Sequence, residues 1–449
     1  MTTLWQASQR LKEGEATPQD YTEAALFAAT EKSGEGARVF TRLYTDNARR
    51  RAIQAGIRWQ KGEALSSVDG LPISIKDLFD VAGEATTAGS TLLINAPAAK
   101  TNASMVNRLE QAGAAIVGKT NMTEFAFSGL GINPHYGTPA NPWQRNSPRI
   151  PGGSSSGAAV SVSDGMCLGA IGTDTGGSVR IPAALCGLTG FKPSASRIGQ
   201  AGTLPLAASL DSIGVIAHDV RSCWLLDSII ADEPLMLAEC NLSQARFAIP
   251  QTRVLDDLED DVRQAWTATR DLIQAAGATL VEIPLTELAE LTTLNARGGI
   301  IAWEAWQWHQ QSAQSRPEAY DPQVLTRLQV GRGLTAQDAE ELYQQRAAWK
   351  QRVEAALTDF DGMLMPTVPR IAPTIAELDD PQRYKEINAL MLRNTSVINM
   401  LDGCAVSLPC HQPGHAPVGL MLAATQGKDA AVLSLALALE ILLLRRRSR

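Results

Sequence analysis

The stretch Cys167-Leu-Gly-Ala-Ile-Gly-Thr-Asp-Thr-Gly-Gly-Ser178 decides how this chain is read. Its first half, Cys167–Ile171, is a short apolar run. Its second half gives way to Gly, Thr, Asp and Ser, the residues of a turn. The same order occurs upstream, where the apolar run Leu71–Ile75 closes on Lys76-Asp77, and again at Ala114–Val117. Helical patterns such as Ser104–Ala112 lie between these runs. Short apolar strands alternating with helices predict an α/β sheet over residues 65–220.

Working outward, residues 1–60 read as helices, with Thr17-Pro18-Gln19-Asp20 as a start signal: Pro at the first helical position and an acid near the N-terminus. Residues 285–358 are also helical in pattern and carry Trp303, Trp306, Trp308 and Trp349. We read these tryptophans as helix packing, with an apolar acyl pocket as the competing role. Strand-like runs return over 360–410, in GMLMPTVP and CAVSLP. With no internal repeat or long linker, residues 1–449 are expected to form one α/β domain. Within it 65–220 is the core, 285–358 is a helical insertion or cap, and 360–449 returns to the core.

Hydrophobic residues make up 45% and charged residues 19% of the 449, enough apolar material for a large core. The net charge of −7 provides no global basic field, which argues against direct nucleic-acid binding. Six cysteines without a CxxC pair or zinc-spaced histidines read as reduced, buried thiols of a cytoplasmic protein. No signal peptide is visible at the start. The apolar run Ala430–Leu444 is shorter than the ~20 residues that span a bilayer. Followed by Arg445, Arg446 and Arg447, it reads as a buried C-terminal helix with cations at its negative end, not as a membrane segment.

Two motif matches mislead. Gly113-Ala-Ala-Ile-Val-Gly118-Lys119-Thr120 fits a nucleotide-binding P-loop letter for letter. Its interior, however, is the expected strand, and a strand's N–H groups are committed to its ladder. Gly153-Ser154-Ser155-Ser156-Gly157 fits the nucleophile elbow and would make Ser155 the attacker, with His218, His309, His411 or His415 as partner. An elbow follows an apolar strand, whereas Pro142–Arg149 reads as loop.

Three segments together carry the chemistry. Lys76 ends an apolar run, where burial would disfavour the ammonium form and make the amine a base. Taken alone, it also reads as a strand-end lysine snorkelling to the surface. Gly152–Ala159 joins small residues to an ordered helical run, Ala158–Ser163, which argues against a flexible linker. Gly176-Gly177 before Ser178 frees the backbone to aim several N–H groups in one direction, as an oxyanion hole requires; an ordinary Gly-rich turn is the alternative.

These segments closely resemble the amidase signature family. Its hallmark is a Gly-Gly-Ser-Ser stretch followed by Gly-Thr-Asp-Thr-Gly-Gly-Ser, with a strand-end lysine upstream. "VGKTNMTEFA", "GLTGFKPS" and "SLDSIG" are similar to family text as well. The resemblance is close over residues 65–220. It implies a central mixed β-sheet flanked by helices, with Ser178 as nucleophile and Ser154 as bridging serine after a cis Gly153–Ser154 bond. Lys76 is then the ultimate base. It also implies an oxyanion hole of Thr175, Gly176, Gly177 and Ser178 N–H groups and, more loosely, pocket contacts from Ser128, Gly129 and Gly153. The reaction so implied cleaves a small-molecule carboxylic amide, with no metal or organic cofactor.

Asp174 and Arg180 read as holding the loop, with a substrate-carboxylate role for Arg180 as the alternative. Two other readings compete for the whole chain: the glutaminase subunit of a tRNA-dependent amidotransferase and, more weakly, a P-loop nucleotide-binding protein. Tyr320–Leu328 and "NTSVINMLDGCAVSLPC" look more like free-standing amidases than the Arg-rich and Tyr-rich text of glutaminase subunits. A homodimer is the default assembly.

Overall fold

The apolar runs of the 65–220 core lead into or form strands whose own residues are all buried. The computed structural model describes residues 2–447. Its strands are β1 (Phe40–Leu43), β2 (Pro72–Lys76), β3 (Ala115–Thr120), β4 (Gly169–Thr173), β5 (Thr189–Lys192) and β6 (Ile213–Ala217). They continue with β7 (Arg246–Pro250), β8 (Thr279–Ile283), β9 (Gly362–Pro366), β10 (Cys404–Pro409) and β11 (Gly419–Ala424). All eleven join one sheet in the order β1-β3-β2-β4-β6-β5-β10-β11-β9-β7-β8. The sheet is mixed. β2 runs parallel to β3 and β4, and β7 parallel to β8 and β9, while the remaining pairs are antiparallel.

Parallel neighbours need crossovers, and helices supply them. Helix Ser104–Gln111 links β2 to β3, and helix Ser156–Ser163 precedes β4. Helices on both faces explain why β2, β3 and β4 read as near-continuous apolar runs without period-two alternation. Helix Ser156–Ser163 packs across β2, β3, β4 and β6. Its small residues allow the approach: a Cβ at Gly157 would lie 2.5 Å from Val39 C=O and 2.7 Å from Asn121 C=O.

The first helices are Leu4–Lys12, Pro18–Thr30, Gly36–Val39 and Thr45–Lys61, with Thr17 capping the second as its start signal indicated. The short edge strand β1 interrupts this helical region; four residues are too few for a periodic signal. Helices Glu287–Leu294, Gly299–Ser315, Pro322–Gly331 and Ala336–Ala356 occupy the Trp-rich region. Trp306 and Trp349 are buried there, and Trp349 Nε1 donates to Glu287 C=O at 2.8 Å. Trp308 is 43% exposed. Helices Pro381–Leu392 and Thr395–Met400 lie between β9 and β10, inside a stretch read as strand-like. The C-terminal helix Asp429–Arg447 packs on β10 and β11. Among the described residues, no helix is long and apolar enough to cross a membrane. All six cysteines are free thiols, five of them buried.

Candidate active site

β2 and β4 are parallel neighbours with Ile75 opposite Ile171, so Lys76 and Thr173 emerge at the same edge of the sheet. Lys76 Nζ lies 2.7 Å from Ser154 Oγ and 2.9 Å from Thr173 Oγ1, within hydrogen-bond reach of both. The side chain is fully buried. Burial pushes its pKa down to about 7, against the opposing pull of Asp174 and Asp211. The strand-end lysine is therefore a buried group and not a snorkelling one.

The Gly153–Ser154 peptide bond is cis. Gly153 N–H donates to Gly129 C=O at 2.8 Å, and Thr123 N–H donates to Ser154 C=O at 3.1 Å, so both residues of that peptide are held from outside. Ser155 N–H donates to Ser178 C=O at 3.2 Å, and Ser155 Oγ to Thr173 C=O at 3.4 Å. Ser155 is thus a tie between the two serine segments; its side chain is bonded to backbone and not to a histidine. Among the described residues no hydrogen bond joins Ser154 Oγ to Ser178 Oγ. Catalytic hydrogen bonds without substrate are often long and tighten only when it binds.

The Gly-rich loop is wrapped around a carboxylate. Asp174 accepts from the N–H groups of Gly177 (2.8 Å) and Val179 (3.1 Å), from Arg180 Nε (3.0 Å) and Nη2 (2.8 Å), and from Asn399 Nδ2 (2.9 Å). Burial alone would raise its pKa, but the Arg180 guanidinium and Lys192 ammonium outweigh that and hold it below the usual carboxylate range. Arg180 is fully buried and also donates to Asn399 Oδ1 at 2.7 Å. It braces the loop and is not placed to receive a substrate carboxylate. Gly177 N–H, one of the four expected oxyanion donors, is taken by Asp174; the N–H groups of Thr175, Gly176 and Ser178 have no acceptor among the described residues. Gly177 has φ +136°, and a Cβ there would meet Thr395 Oγ1 at 2.1 Å.

Residues distant in sequence brace the same loop. Thr175 Oγ1 donates to Asp211 Oδ1 at 2.5 Å, and Thr395 Oγ1 to Gly176 C=O at 2.6 Å. Asp211 also accepts from Leu206 and Ala207 N–H; burial raises its pKa to about 6 although these donors pull it down. Asp211 lies in the "SLDSIG" text, so a motif signal existed for it. Thr395 and Asn399 lie in the "NTSVINMLDGCAVSLPC" text, but nothing in it singled out either one, because their contacts depend on a helix returning from far along the chain. On the facing wall, Ser128 Oγ donates to Asn388 Oδ1 at 3.0 Å and accepts from Tyr384 OH at 2.8 Å, while Gly129 N–H donates to Asn388 Oδ1 at 2.8 Å.

Lys119 lies inside β3, whose backbone pairs with β1 and β2, and its Nζ forms a buried ion pair with Asp77 Oδ1 at 3.2 Å. A phosphate cradle is incompatible with that geometry. A cavity of about 580 Å³ between β9, β11 and helix Ala336–Ala356 holds none of the residues described above. Among the described residues, no group of three or more His, Cys, Asp and Glu is placed to hold a metal.

A buried lysine on a serine, beside a loop presenting uncommitted N–H donors, is the kind of arrangement that serine-dependent acyl-transfer hydrolases use. The amidase family profile matches residues 22–433, and the chain belongs to that family, whose fold and amide-hydrolysing activity it shares. It is 34% identical over 408 residues to a 2-amino-5-chloromuconic acid deaminase of Comamonas testosteroni, covering 89% of this chain and 87% of that one. It is 31% identical over 470 residues to a glutamyl-tRNA(Gln) amidotransferase subunit of Chloroflexus aggregans, covering 96% and 94%. A crystal structure of an amidase superposes over 99% of both chains with a TM-score of 0.87 and 32% identity.

Proposed function

We propose that this chain hydrolyses small carboxylic amides through an acyl-enzyme on Ser178, with Ser154 as proton shuttle and Lys76 as base. The buried 2.7 Å contact between Lys76 Nζ and Ser154 Oγ carries the proposal. A serine hydroxyl is a poor nucleophile without a base, and a lysine is a base only when neutral. Neutral Lys76 takes the Ser154 proton as Ser154 takes that of Ser178, and Ser178 Oγ adds to the amide carbonyl. The oxyanion is received by the N–H groups of Thr175, Gly176 and Ser178. The proton returns through Ser154 to the leaving nitrogen, the C–N bond breaks, and water then cleaves the ester by the reverse relay. None of these steps routes through a metal or organic cofactor. The relative named as a deaminase supports ammonia as a product.

We further propose that the chain works in the cytoplasm without a partner subunit, as one domain, alone or as a homodimer. The likeness to an amidotransferase subunit favours a second reading, a glutaminase that feeds a tRNA-binding partner. One experiment separates them. The purified chain should release ammonia from simple primary amides by itself, and a fluorophosphonate should label Ser178. Ammonia release only from glutamine, and only with a partner, would support the second reading.

A further inference from the structure

The donor loop carries two successive glycines, Gly176 and Gly177, and glycine places little restriction of its own on the backbone. The peptide between them is therefore oriented by what grips it. Its N–H end donates to Asp174 Oδ1 at 2.8 Å, and its C=O end accepts from Thr395 Oγ1 at 2.6 Å. The uncommitted N–H groups of Gly176 and Ser178 belong to the peptides on either side of it. Holding the middle peptide at both ends fixes the directions in which those two N–H groups point. One grip comes from within the loop. The other comes from a residue 219 positions away along the chain.

Thr395 opens helix Thr395–Met400, and that helix is fastened at both ends. Just before it, Asn394 Nδ2 donates to Val254 C=O at 2.9 Å and Pro366 C=O at 2.8 Å. At its far end Arg346, from helix Ala336–Ala356, donates to Asn399 C=O at 3.2 Å and Met400 C=O at 3.0 Å and pairs with Asp402. Asn399 lies one turn after Thr395, on the same face, and its Nδ2 donates to both Asp174 C=O and Asp174 Oδ1 at 2.9 Å. Two side chains of a fixed helix thus reach one loop. Thr395 is fully buried, where a carbonyl left without a donor is costly. Removing its hydroxyl strips Gly176 C=O of that donor, and a backbone with two glycines turns more readily than it bears the loss. The hydroxyl's other contact, to Leu392 C=O, is long at 3.5 Å.

We propose that Thr395 is a positioning residue for the reaction: it touches no reacting atom, and its hydroxyl holds the Gly176–Gly177 peptide so that the flanking N–H groups are already aimed when the oxyanion develops. This deepens the proposed hydrolysis through Ser178 and rests on it. Donors set beforehand need no reorganisation at the moment of reaction, and losing one outright typically costs about 100–1,000-fold in kcat.

The test compares wild type, Thr395→Val and Thr395→Ser by ammonia release from whichever of propionamide, hexanamide and benzamide the wild type turns over fastest. Rates are normalised to the fraction of chains that a fluorophosphonate labels on Ser178 at completion, so that misfolded protein does not count. Thr395→Val, which keeps the shape and removes the hydroxyl, should lower kcat and kcat/KM together by about tenfold or more, with KM unchanged. Thr395→Ser, which restores the hydroxyl, should be faster than Thr395→Val by at least about threefold. The rise of kcat/KM with pH through about 7 should stay in place, because Lys76 keeps its surroundings. If Thr395→Val does not fold, Thr395→Cys, whose thiol is a weaker donor, carries the same comparison. A loss of less than tenfold, or a serine variant as slow as the valine one, overturns the proposal. So does a loss that comes with a raised KM or a displaced pH limb, which would place the effect in substrate binding or in the base. If the wild-type protein hydrolyses none of the amides and Ser178 is not labelled, the catalytic reading itself fails.

Discussion

Lys76 can accept the Ser154 proton only as a neutral amine, so kcat/KM should rise with pH through about 7 and level off above it. The position of that limb follows from the structure: burial lowers the Lys76 pKa from its usual 10.5 to about 7, although Asp174 and Asp211 pull it upward. At pH 8 a base of pKa about 7 is roughly 90% neutral, whereas an ordinary lysine would be only about 0.3% neutral, a difference of about 300-fold in available base. Asp211, raised to about 6, could produce a limb of its own, and Asp211→Asn separates the two. If the limb belongs to Lys76, removing that negative charge moves it to lower pH. The plateau also falls, because Thr175 loses its carboxylate acceptor. If the limb belongs to Asp211, it disappears. Ammonia release from pH 5 to 9 at constant ionic strength, in parallel with the rate of Ser178 labelling, provides the profile. A flat profile between pH 6 and 8, or a limb near 10, would refute the reasoning. The same shift affects stability. Between about 7 and 10.5 the unfolded lysine holds a proton that the folded one has lost, so the unfolded state binds more protons and stability rises with pH. That contribution is complete only above 10.5 and is lost as pH falls through 7.

Ser178→Ala should abolish covalent labelling and lower kcat/KM by at least about 1,000-fold, whereas Ser155→Ala, which removes only a 3.4 Å contact to backbone, should stay within about tenfold; equal losses would reinstate Ser155 as attacker. Lys119→Met strands the Asp77 carboxylate in the core and should cost roughly 3–5 kcal/mol in urea unfolding, with ATP stabilising neither the variant nor the wild type. Gly177→Ala sets a Cβ on Thr395 Oγ1 at an unfavourable φ and should cost of order 1–3 kcal/mol in stability, with activity falling more steeply as the donor loop shifts.

The core strands are legible because burial on both faces writes them as uninterrupted apolar runs, and because each ends in a polar turn. β1 carries no such signal, since four residues hold no period. Helices Pro381–Leu392 and Thr395–Met400 are hidden in a stretch that reads as strands, since a buried helix and a buried strand share composition. The candidate site segments are legible as a group: Gly152–Ala159 and Gly172–Arg180 are long, specific and close in sequence, and Lys76 closes an apolar run upstream.

What lay beyond the sequence depends on which groups already have partners. The two serine segments and the strand-end lysine could be singled out in the sequence because together they resemble the amidase signature text; taken one by one, each had an ordinary structural reading. Only the tertiary structure decided that Lys76 is buried against Ser154, and that Asp174 occupies both Arg180 and one of the four expected oxyanion donors. A pKa or a committed N–H depends on what distant strands and helices bring within a few ångströms, and a one-dimensional pattern does not encode those distances.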